Sequence, residues 1–529
     1  MRKKLFGYIK NSLLPCMAPA ALTGFFSAII ITAFKLAAEW AVHFSMSIYS
    51  AVRADARWLP LLILGAAVIG LVASLILFKT HSGRGGGIPT SVAAIRGIIS
   101  YKWTASLLLV PIASFLSFLA GLPLGTEGPC VQMGTGVGDG ISKIFGKGKN
   151  KGWRRYIMTA GASAGFSIAT VSPLSAIIFA MEELHKRFSP LILSVSAVSV
   201  VSAQVTLRAL AVFGIGDVHF FHVPTIPALS LRFIFVPAII GAVTGGCSLL
   251  FSRLYRVIDK AMRRILKKLP ITVVFPIIFT LVAIVGFFFA ETLGSGHSLV
   301  DSLFASGGVW YMLLLVFLIR ALGMMFSNTS GITGGIFLPT LAFGAIIGAL
   351  CANAMISLGW IAEEYYLLTV VLGITAFLGS TSQIPLTACV FAVEAMGGIN
   401  NLLPIIVATA IAFIIVEASG TEDFTDTVIE AKLHKLTKGK KATTVVAPLT
   451  VSRGSFVIGK NISDVLWPNS CVVVSFTRAV GTRDSTVICE GDVILMRYTT
   501  YDTKETADEL LDLVGPQTES TLRLMTPAT

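Results

Sequence analysis

Three glycine-rich turns in this sequence each lead into a short helix: GGGIP (85–89), GTEGP (125–129) and GGIFLP (334–339). Proline suits the first turn of a helix, and glycine lets a backbone approach a ligand closely. The free N–H groups at a helix start attract anions. Three such starts aimed at one point would form an anion site without a lysine. For any single turn, a packing glycine between helices is the alternative.

Carboxylates inside apolar sequence are the second group of candidates. Glu127 lies within LPLGTEGPCVQMG, and Glu182 and Glu183 lie within FAMEELHKRF. An ionised carboxylate at the bilayer centre costs roughly 3 kcal/mol on insertion scales, so these residues are functional candidates. Burial favours the protonated acid and helix N-termini favour the anion, so a group between these influences can carry a proton. A solvated structural pair beside the basic HKR is the alternative for Glu182 and Glu183.

The composition indicates what kind of protein must position these residues. The chain has 529 residues, of which 54% are hydrophobic and 13% charged, and its mean hydropathy is +0.81. Soluble domains carry about 25% charged residues, so a polytopic membrane protein is predicted. The seven cysteines form no CxxC pair and the seven histidines show no ligand spacing. No metal, no cofactor and no nucleotide phosphate loop is predicted.

Ten apolar spans are long enough, or nearly so, to cross a bilayer. They are 12–40, 58–78, 103–121, 190–215, 230–252, 271–292, 309–326, 339–358, 364–379 and 402–417. Shorter segments broken by glycine or proline occur at 84–99, 122–145, 161–184, 331–347 and 373–396. Interrupted helices at membrane depth are tolerated where they line a cavity, and they indicate a transport site.

Basic clusters predict the orientation of the chain in the membrane. The net charge is +13, and Lys and Arg concentrate in MRKK at the start, in 143–155, in HKR (185–187) and in 253–268. The positive-inside rule places all of them in the cytoplasm, with the first helix uncleaved. This use of basic residues accounts for the charge without nucleic-acid binding.

The character of the chain changes after about residue 430. We predict a membrane domain over 1–430, a basic linker over 431–444, and a small cytoplasmic α+β domain over 445–529. β-branched runs separated by turn residues predict the strands, including VVAPLTV, SFVI, SCVVVSFTRAV and TVICEGDVILMRY, and TKETADELLDLVG predicts an amphipathic helix.

An internal repeat relates two halves of the membrane part. Residues 161–184 match 373–396 without gaps, with eight of 24 positions identical. The turn at 125–134 matches 335–344 at nearly the same offset, which places Glu127 opposite Phe337. Each half therefore has a short helix that begins near Gly and Pro, followed by a helix pair interrupted by proline. Glu394, the repeat mate of Glu182, is predicted to be structural.

The three turns, in this order, resemble the signatures of the CLC family of chloride channels and chloride/proton antiporters. The family patterns G-S-G-I-P, G-R-E-G-P and G-G-x-F-x-P correspond to GGGIP, GTEGP and GGIFLP, and the resemblance covers about residues 15–430. It implies an all-α membrane domain of two inverted-repeat halves and a homodimer with one anion pathway per subunit. Residues 445–515 look like the C-terminal domain of TrkA-type potassium-transport regulators, which implies a possible small ligand there.

The resemblance also implies roles for single residues. Glu127 falls on the gating glutamate, which competes with the anion and carries protons. Glu183 falls on the internal proton-transfer glutamate, found in antiporters and usually absent from channels. The positions implied for anion binding are Gly86, Gly87, Ile88, Gly128, Ile336, Phe337 and Thr425.

Three positions depart from the family pattern. Gly86 stands where the family has its selectivity serine, Thr126 where it has an arginine, and Thr425 where it has the tyrosine of the inner gate. A smaller, less polar inner gate could loosen chloride selectivity or coupling.

The function predicted from these features is proton-coupled chloride antiport across the inner (plasma) membrane, without enzyme activity. Its partners would be chloride or a similar small anion, protons and the lipid bilayer, with no nucleic acid. The alternatives are a passive chloride channel and a fluoride/proton antiporter of the same fold. Fluoride-exporting members also alter the serine and tyrosine positions, but they lack the internal glutamate that Glu183 retains. A membrane-embedded hydrolase using Glu127 and Glu182 is opposed by the lack of a nucleophile motif.

Overall fold

The computed structural model describes residues 14–78, 84–99, 101–145, 151–305, 307–437, 442–469, 471–479 and 486–526. The basic start MRKK, residues 146–150 of the basic loop and residues 438–441 of the predicted linker lie outside this range. The helices of the membrane part are α1 (Leu14–Ala54), α2 (Leu59–Phe78), α3 (Ile88–Ile95), α4 (Trp103–Leu119), α5 (Glu127–Phe145), α6 (Arg154–Thr170), α7 (Pro173–Phe179), α8 (Pro190–Val212), α9 (Phe235–Lys268), α10 (Ile271–Phe288), α11 (His297–Ala305), α12 (Trp310–Ser330), α13 (Phe337–Ser357), α14 (Tyr366–Thr381), α15 (Pro385–Met396), α16 (Leu402–Ala418) and α17 (Phe424–Thr437).

Apolar helices of membrane length dominate this part of the chain. Within the described residues, nine helices are long and apolar enough to cross a membrane. The tenth predicted span is α4, an apolar helix of 17 residues. The mostly helical, polytopic fold predicted from the sequence is therefore confirmed.

Two interrupted helix pairs occupy equivalent places in the internal repeat. The helices α6 and α14 each end a few residues before a proline, Pro173 or Pro385, which begins the next helix. In each break, the second residue before the proline has a positive φ: Val171 at 51° and Gln383 at 54°. These two residues are repeat mates. A positive φ is uncommon outside glycine, above all for a β-branched residue. Its recurrence at matching positions shows that the two halves share a backbone path.

An antiparallel bridge joins the halves at the glycines that open their turns. The N–H of Gly125 donates to the carbonyl of Gly335 at 2.7 Å, and the N–H of Gly335 donates to the carbonyl of Gly125 at 2.6 Å. Because these residues are repeat mates, each half offers the same groups to the other. Such reciprocal contact is what a two-fold axis produces. An axis of this kind in the membrane plane relates inverted-topology halves in transporters.

Two carboxylates add a second reciprocal contact between the halves. Glu394 accepts two backbone N–H groups from the first turn of α7, both at 2.8 Å. Glu182, its repeat mate, accepts two backbone N–H groups from the first turn of α15, at 3.0 and 2.7 Å. The hydroxyl of Thr387 also donates to Glu182 at 2.7 Å. Each carboxylate thus caps a helix of the opposite half, where helix N–H groups otherwise have no partner.

The end of the chain forms a small α+β unit, with strands β1 (Thr443–Thr450), β2 (Cys471–Thr477) and β3 (Val493–Thr500) and helices α18 (Thr503–Val514) and α19 (Glu519–Met525). The sheet is antiparallel with the order β1-β3-β2. The predicted strand SFVI is wrong: these residues form turns, because Gly454 and Gly459 flank them with φ of 74° and 80°. Helix α17 crosses residue 430, and β1 begins inside the predicted linker.

The α+β unit contacts the membrane part through a set of hydrogen bonds. The Tyr156 hydroxyl donates to the carbonyl of Asp464 at 2.5 Å and accepts from the N–H of Leu466 at 3.0 Å. The Ser189 hydroxyl donates to the Asp464 carboxylate at 2.8 Å. Arg187 donates to the carbonyl of Val465 at 2.9 Å. On the membrane side, Tyr156 directly follows the basic loop 143–155, Arg187 ends the HKR motif and Ser189 lies two residues after it.

Aromatic and charged side chains extend this contact. Lys460, only 2% exposed, lies over the rings of Trp153 and Phe456, which meet edge to face at 4.9 Å. Arg155 forms an ion pair with Glu509 at 2.8 Å. The two parts are therefore in specific contact.

Candidate anion-binding site

The three glycine-rich turns meet at one place in the structure. A Cβ added to Gly128 would overlap the carbonyl oxygen of Gly86, and one added to Gly87 would overlap the carbonyl of Gly128. A Cβ on Gly335 would lie 2.7 Å from the backbone nitrogen of Gly128. Only glycine allows backbones to come this close. The three helix starts considered in the sequence analysis do meet, since α3, α5 and α13 begin around one point.

The first of these turns is held by backbone hydrogen bonds, one within the turn and one to the end of α12. The N–H of Gly85 donates to the carbonyl of Gly331 at 3.2 Å, and the N–H of Ile88 donates to the carbonyl of Gly86 at 3.0 Å. Gly87, with a φ of 79°, immediately precedes α3. The turn therefore needs glycine both for its conformation and for its contact with Gly128.

Glu127 is the first residue of α5, where the starts of α3 and α13 also meet. Its side chain is 1% exposed, and its carboxylate lies against Gly125 and near the backbone N–H groups of Glu127 and Leu338. The Thr126 hydroxyl is 3.5 Å from Oε1. The carboxylate therefore faces the start of α13, where N–H groups have no partner within the helix.

The repeat mate of Glu127 has a different environment. Phe337 is 4% exposed and packs edge to face with Phe166 and Phe391, with ring centroids 5.1 and 5.6 Å apart. Its backbone begins α13 directly after Ile336. The second half thus contributes its backbone and an apolar wall to the site, and the first half contributes the acid.

Glu183 lies apart from this point, in a network of charged side chains. It is buried, and the Thr425 hydroxyl donates to its Oε1 at 2.5 Å. Arg96 donates to the backbone carbonyl of Glu183 at 3.2 Å and forms an ion pair with Asp426 at 3.2 Å. Lys186 pairs with Asp426 and with a second aspartate, Asp423. The acid therefore lies at the start of α17, on the side where the α+β unit docks.

The hydroxyl of Thr425, one of the predicted anion positions, is directed at Glu183. The preceding residue, Phe424, packs edge to face on Tyr255 with centroids 4.7 Å apart. These two rings line a small cavity with Phe251 and Thr381. Aromatic side chains therefore lie next to Thr425, among them Phe424 and Tyr255, which the sequence analysis did not single out.

Sequence reasoning missed two further polar residues. Lys35, within the apolar helix α1, donates to the carbonyls of Ile168 and Ala169 at 3.3 and 3.2 Å, where α6 ends. A charged residue within an apolar span is a functional candidate by its position alone, so the sequence could have indicated Lys35. Asn328 is buried beside Gly86 and accepts a hydrogen bond from the Tyr255 hydroxyl at 2.9 Å. An asparagine near a helix end gave no such signal.

The fold and the site define a membrane transport protein whose two related halves direct helix starts at one buried acid. A family model described as voltage gated chloride channel matches residues 65–417. The chain therefore belongs to that family, the CLC family. The match ends before the α+β unit, so the TrkA-type resemblance of the tail stays a prediction.

Individual proteins agree with this assignment. The H(+)/Cl(-) exchange transporter ClcA of Vibrio cholerae is 28% identical over 438 residues, covering 79% of this chain and 89% of that protein. The crystal structure of a slow cyanobacterial Cl⁻/H⁺ antiporter matches with a TM-score of 0.71 at 23% identity, covering 80% of this chain and 99% of that one. A CLC-type fluoride/proton antiporter matches with a TM-score of 0.64 at 19% identity, covering 77% and 96%.

Proposed function

We propose that this protein exchanges chloride for protons across the membrane. The observation that carries the proposal is the position of Glu127, a buried carboxylate at the meeting point of three helix starts. The name of the Vibrio cholerae relative, an H(+)/Cl(-) exchange transporter, supports the same activity.

Glu127 would couple the two ions by competition. In its charged form the carboxylate neutralises the N–H groups at the start of α13, which a chloride ion would otherwise use. Protonation removes the charge, so the side chain loses its attraction to these groups and an anion can replace it. Each exchange of carboxylate for anion is then linked to a proton at Glu127.

Glu183 would pass protons between Glu127 and the cytoplasm. The Thr425 hydroxyl is positioned to stabilise the charged carboxylate, and the second oxygen, Oε2, is buried without a hydrogen-bond partner among the described residues. A buried acid with one satisfied and one free oxygen can hold a proton or release it.

Proteoliposomes test the proposed coupling. A chloride gradient should drive protons uphill in the wild type, and Glu127→Ala should move chloride without protons. Glu417→Ala, an exposed carboxylate at the end of α16, is the control. Proton pumping that survives in Glu127→Ala would overturn the mechanism.

The same vesicles separate the alternatives. A passive channel would show a reversal potential independent of a pH gradient. A fluoride/proton antiporter would release fluoride much faster than chloride. The fold alone favours neither, since solved structures of chloride and of fluoride antiporters both match it.

We also propose a homodimer in the inner (plasma) membrane, with the N-terminus and the α+β unit in the cytoplasm. The dimer follows from the family resemblance, and light scattering of the purified protein tests it. The orientation is supported by the docking of the α+β unit beside segments 151–156 and 185–189, which carry basic residues. Accessibility of an introduced surface cysteine in whole cells tests the orientation.

A cavity between the two parts supports a ligand for the α+β unit, which we propose to be an anion. The cavity measures about 220 Å³, and the described residues that line it include Arg96, Arg155 and Arg187 and no acidic residue. Desolvation, followed by these neighbouring guanidinium groups, lowers the pKa of His185, which also lines it, to about 3. Inorganic pyrophosphate should raise the thermal stability of the full chain, and less so in Arg187→Ala.

A further inference from the structure

We propose that the side-chain amide of Asn328 donates a hydrogen bond to the transported anion, in place of a hydroxyl that position 86 lacks. The inference rests on the proposed anion transport and names the group that completes its binding site.

Asn328 lies in the last turn of α12 and is 6% exposed. Its Nδ2 has no hydrogen-bond partner among the described residues. A buried donor without a partner is costly, and such groups are rare in native structures. A ligand that accepts hydrogen bonds would remove this cost.

The direction of the side chain is fixed by its other end. The Tyr255 hydroxyl donates to Oδ1 at 2.9 Å, so Nδ2 is turned away from Tyr255. It lies 3.2 Å from the place that a Cβ on Gly86 would occupy. The unpaired donor therefore points to the turn where α3, α5 and α13 begin.

The chemistry suits a small anion. The carboxamide N–H group is a neutral donor, and the surrounding helix starts add backbone N–H groups, so the site would bind an anion without a fixed positive charge. Gly86 has no side chain that would occupy the place 3.2 Å from Nδ2. Tyr255 is the positioning residue, since it holds the amide without facing the turn itself.

Chloride binding to the purified full-length protein, measured by titration calorimetry, tests the inference. A hydrogen bond to a charged group corresponds to about a ten- to hundredfold change in affinity. Asn328→Ala should weaken chloride binding by that factor, and Asn328→Asp by at least as much, because a carboxylate repels the anion. Thr329→Ala is the matched control, since its hydroxyl bonds within its own helix to Met325.

A double variant separates ligand binding from a structural role. In Gly86→Ser/Asn328→Ala, the alanine makes room for the new Cβ and the serine restores a donor at the same place. We expect chloride affinity within a few-fold of the wild type. A residue needed only for packing would not be rescued in this way.

The outcomes distinguish a failure of the Asn328 inference from a failure of the proposed transport function. If the wild type binds chloride and folded Asn328→Ala and Asn328→Asp bind it equally well, this inference is overturned and the proposed function stands. If the wild type shows neither chloride binding nor chloride flux, the proposed function itself fails. Should Asn328→Ala not fold, the nearly isosteric Asn328→Asp gives the answer.

Discussion

Two adjacent glutamates on the same turn have different environments. Glu182 caps a helix of the other half, whereas Glu183 is buried against Thr425. They lie in the π-helical turn Ala180–Leu184, and their side chains leave it in different directions because adjacent residues of a helix do not face each other.

This difference gives a matched pair of variants. Glu182→Gln should lower the free energy of unfolding by about 1–2 kcal/mol, because it removes the charge from a helix cap, and should leave proton coupling unchanged. Glu183→Gln should abolish proton movement while chloride still moves. Thermal unfolding in detergent and vesicle flux measure the two effects. Normal coupling in Glu183→Gln would remove its assigned role.

The hydroxyl of Thr425 provides a finer test of the same acid. Thr425→Val keeps the shape and removes the hydrogen bond to Glu183, so proton flux should fall several-fold relative to chloride flux. Thr425→Ser retains the hydroxyl and should behave like the wild type. Equal proton-to-chloride ratios in all three proteins would show that the hydroxyl plays no part in coupling.

Single residues could be predicted only where their local sequence was informative. Glu127 is recognisable because an acid among apolar residues, glycine and proline is unusual. The contact of Thr425 with Glu183 joins residues 242 positions apart, and no local pattern predicts it. Asn328 is inconspicuous in the sequence, because its proposed role depends on its contact with Gly86. That contact exists only in the folded chain.

At the scale of elements, the close approach of the starts of α3, α5 and α13 requires glycine, which has no side chain. Gly128→Ala would place a methyl group onto the Gly86 carbonyl, so we expect destabilisation of about 3 kcal/mol and loss of transport. Gly246→Ala, in α9, meets nothing within 4 Å and is the control. Thermal stability and chloride flux measure both variants. A stable, active Gly128→Ala would mean that the turns can separate without harm.

The elements themselves were largely predictable. The lengths of the apolar runs predicted the membrane helices. The repeat predicted the two interrupted pairs, because proline and glycine mark the breaks at matching positions. The run SFVI had strand-like residues, but the glycines on either side turn the chain. The end of α17 was missed because its residues after 430, AKLHKLT, mix apolar residues with lysine and histidine and lack the continuous apolar run of a span.

At the scale of the whole molecule, the α+β unit is attached through Tyr156. Tyr156→Phe removes a donor from the Asp464 carbonyl and an acceptor from the Leu466 N–H, which costs about 1–3 kcal/mol for each buried group left unpaired. Hydrogen exchange at residues 464–467 should therefore accelerate. Tyr501→Phe, at a tyrosine 41% exposed in the same unit, is the control. Equal exchange in both variants would show that docking does not depend on this hydroxyl.

The sequence could not predict this docking. It indicated a basic, cytoplasmic face and a separate small unit, but contact between the two depends on backbone carbonyls at 464–467, which have no signature in side-chain type. The unit contacts Arg187 and Ser189, in the same segment that carries Glu183, so its attachment and the proposed proton path share residues 183–189.

The reciprocal caps have a consequence for how the protein is made. The first turn of α7 needs the carboxylate of Glu394, which follows Leu174 by 220 residues. At ordinary rates of synthesis, that acceptor reaches the membrane roughly 10 to 45 seconds after the amides it serves. Until then the amides of Leu174 and Ser175 lack the carboxylate that accepts from them in the finished protein. A chain that ends before Glu394 therefore lacks both oxygens of this cap, and the final closure of α7 belongs to the last stage of synthesis of the membrane part.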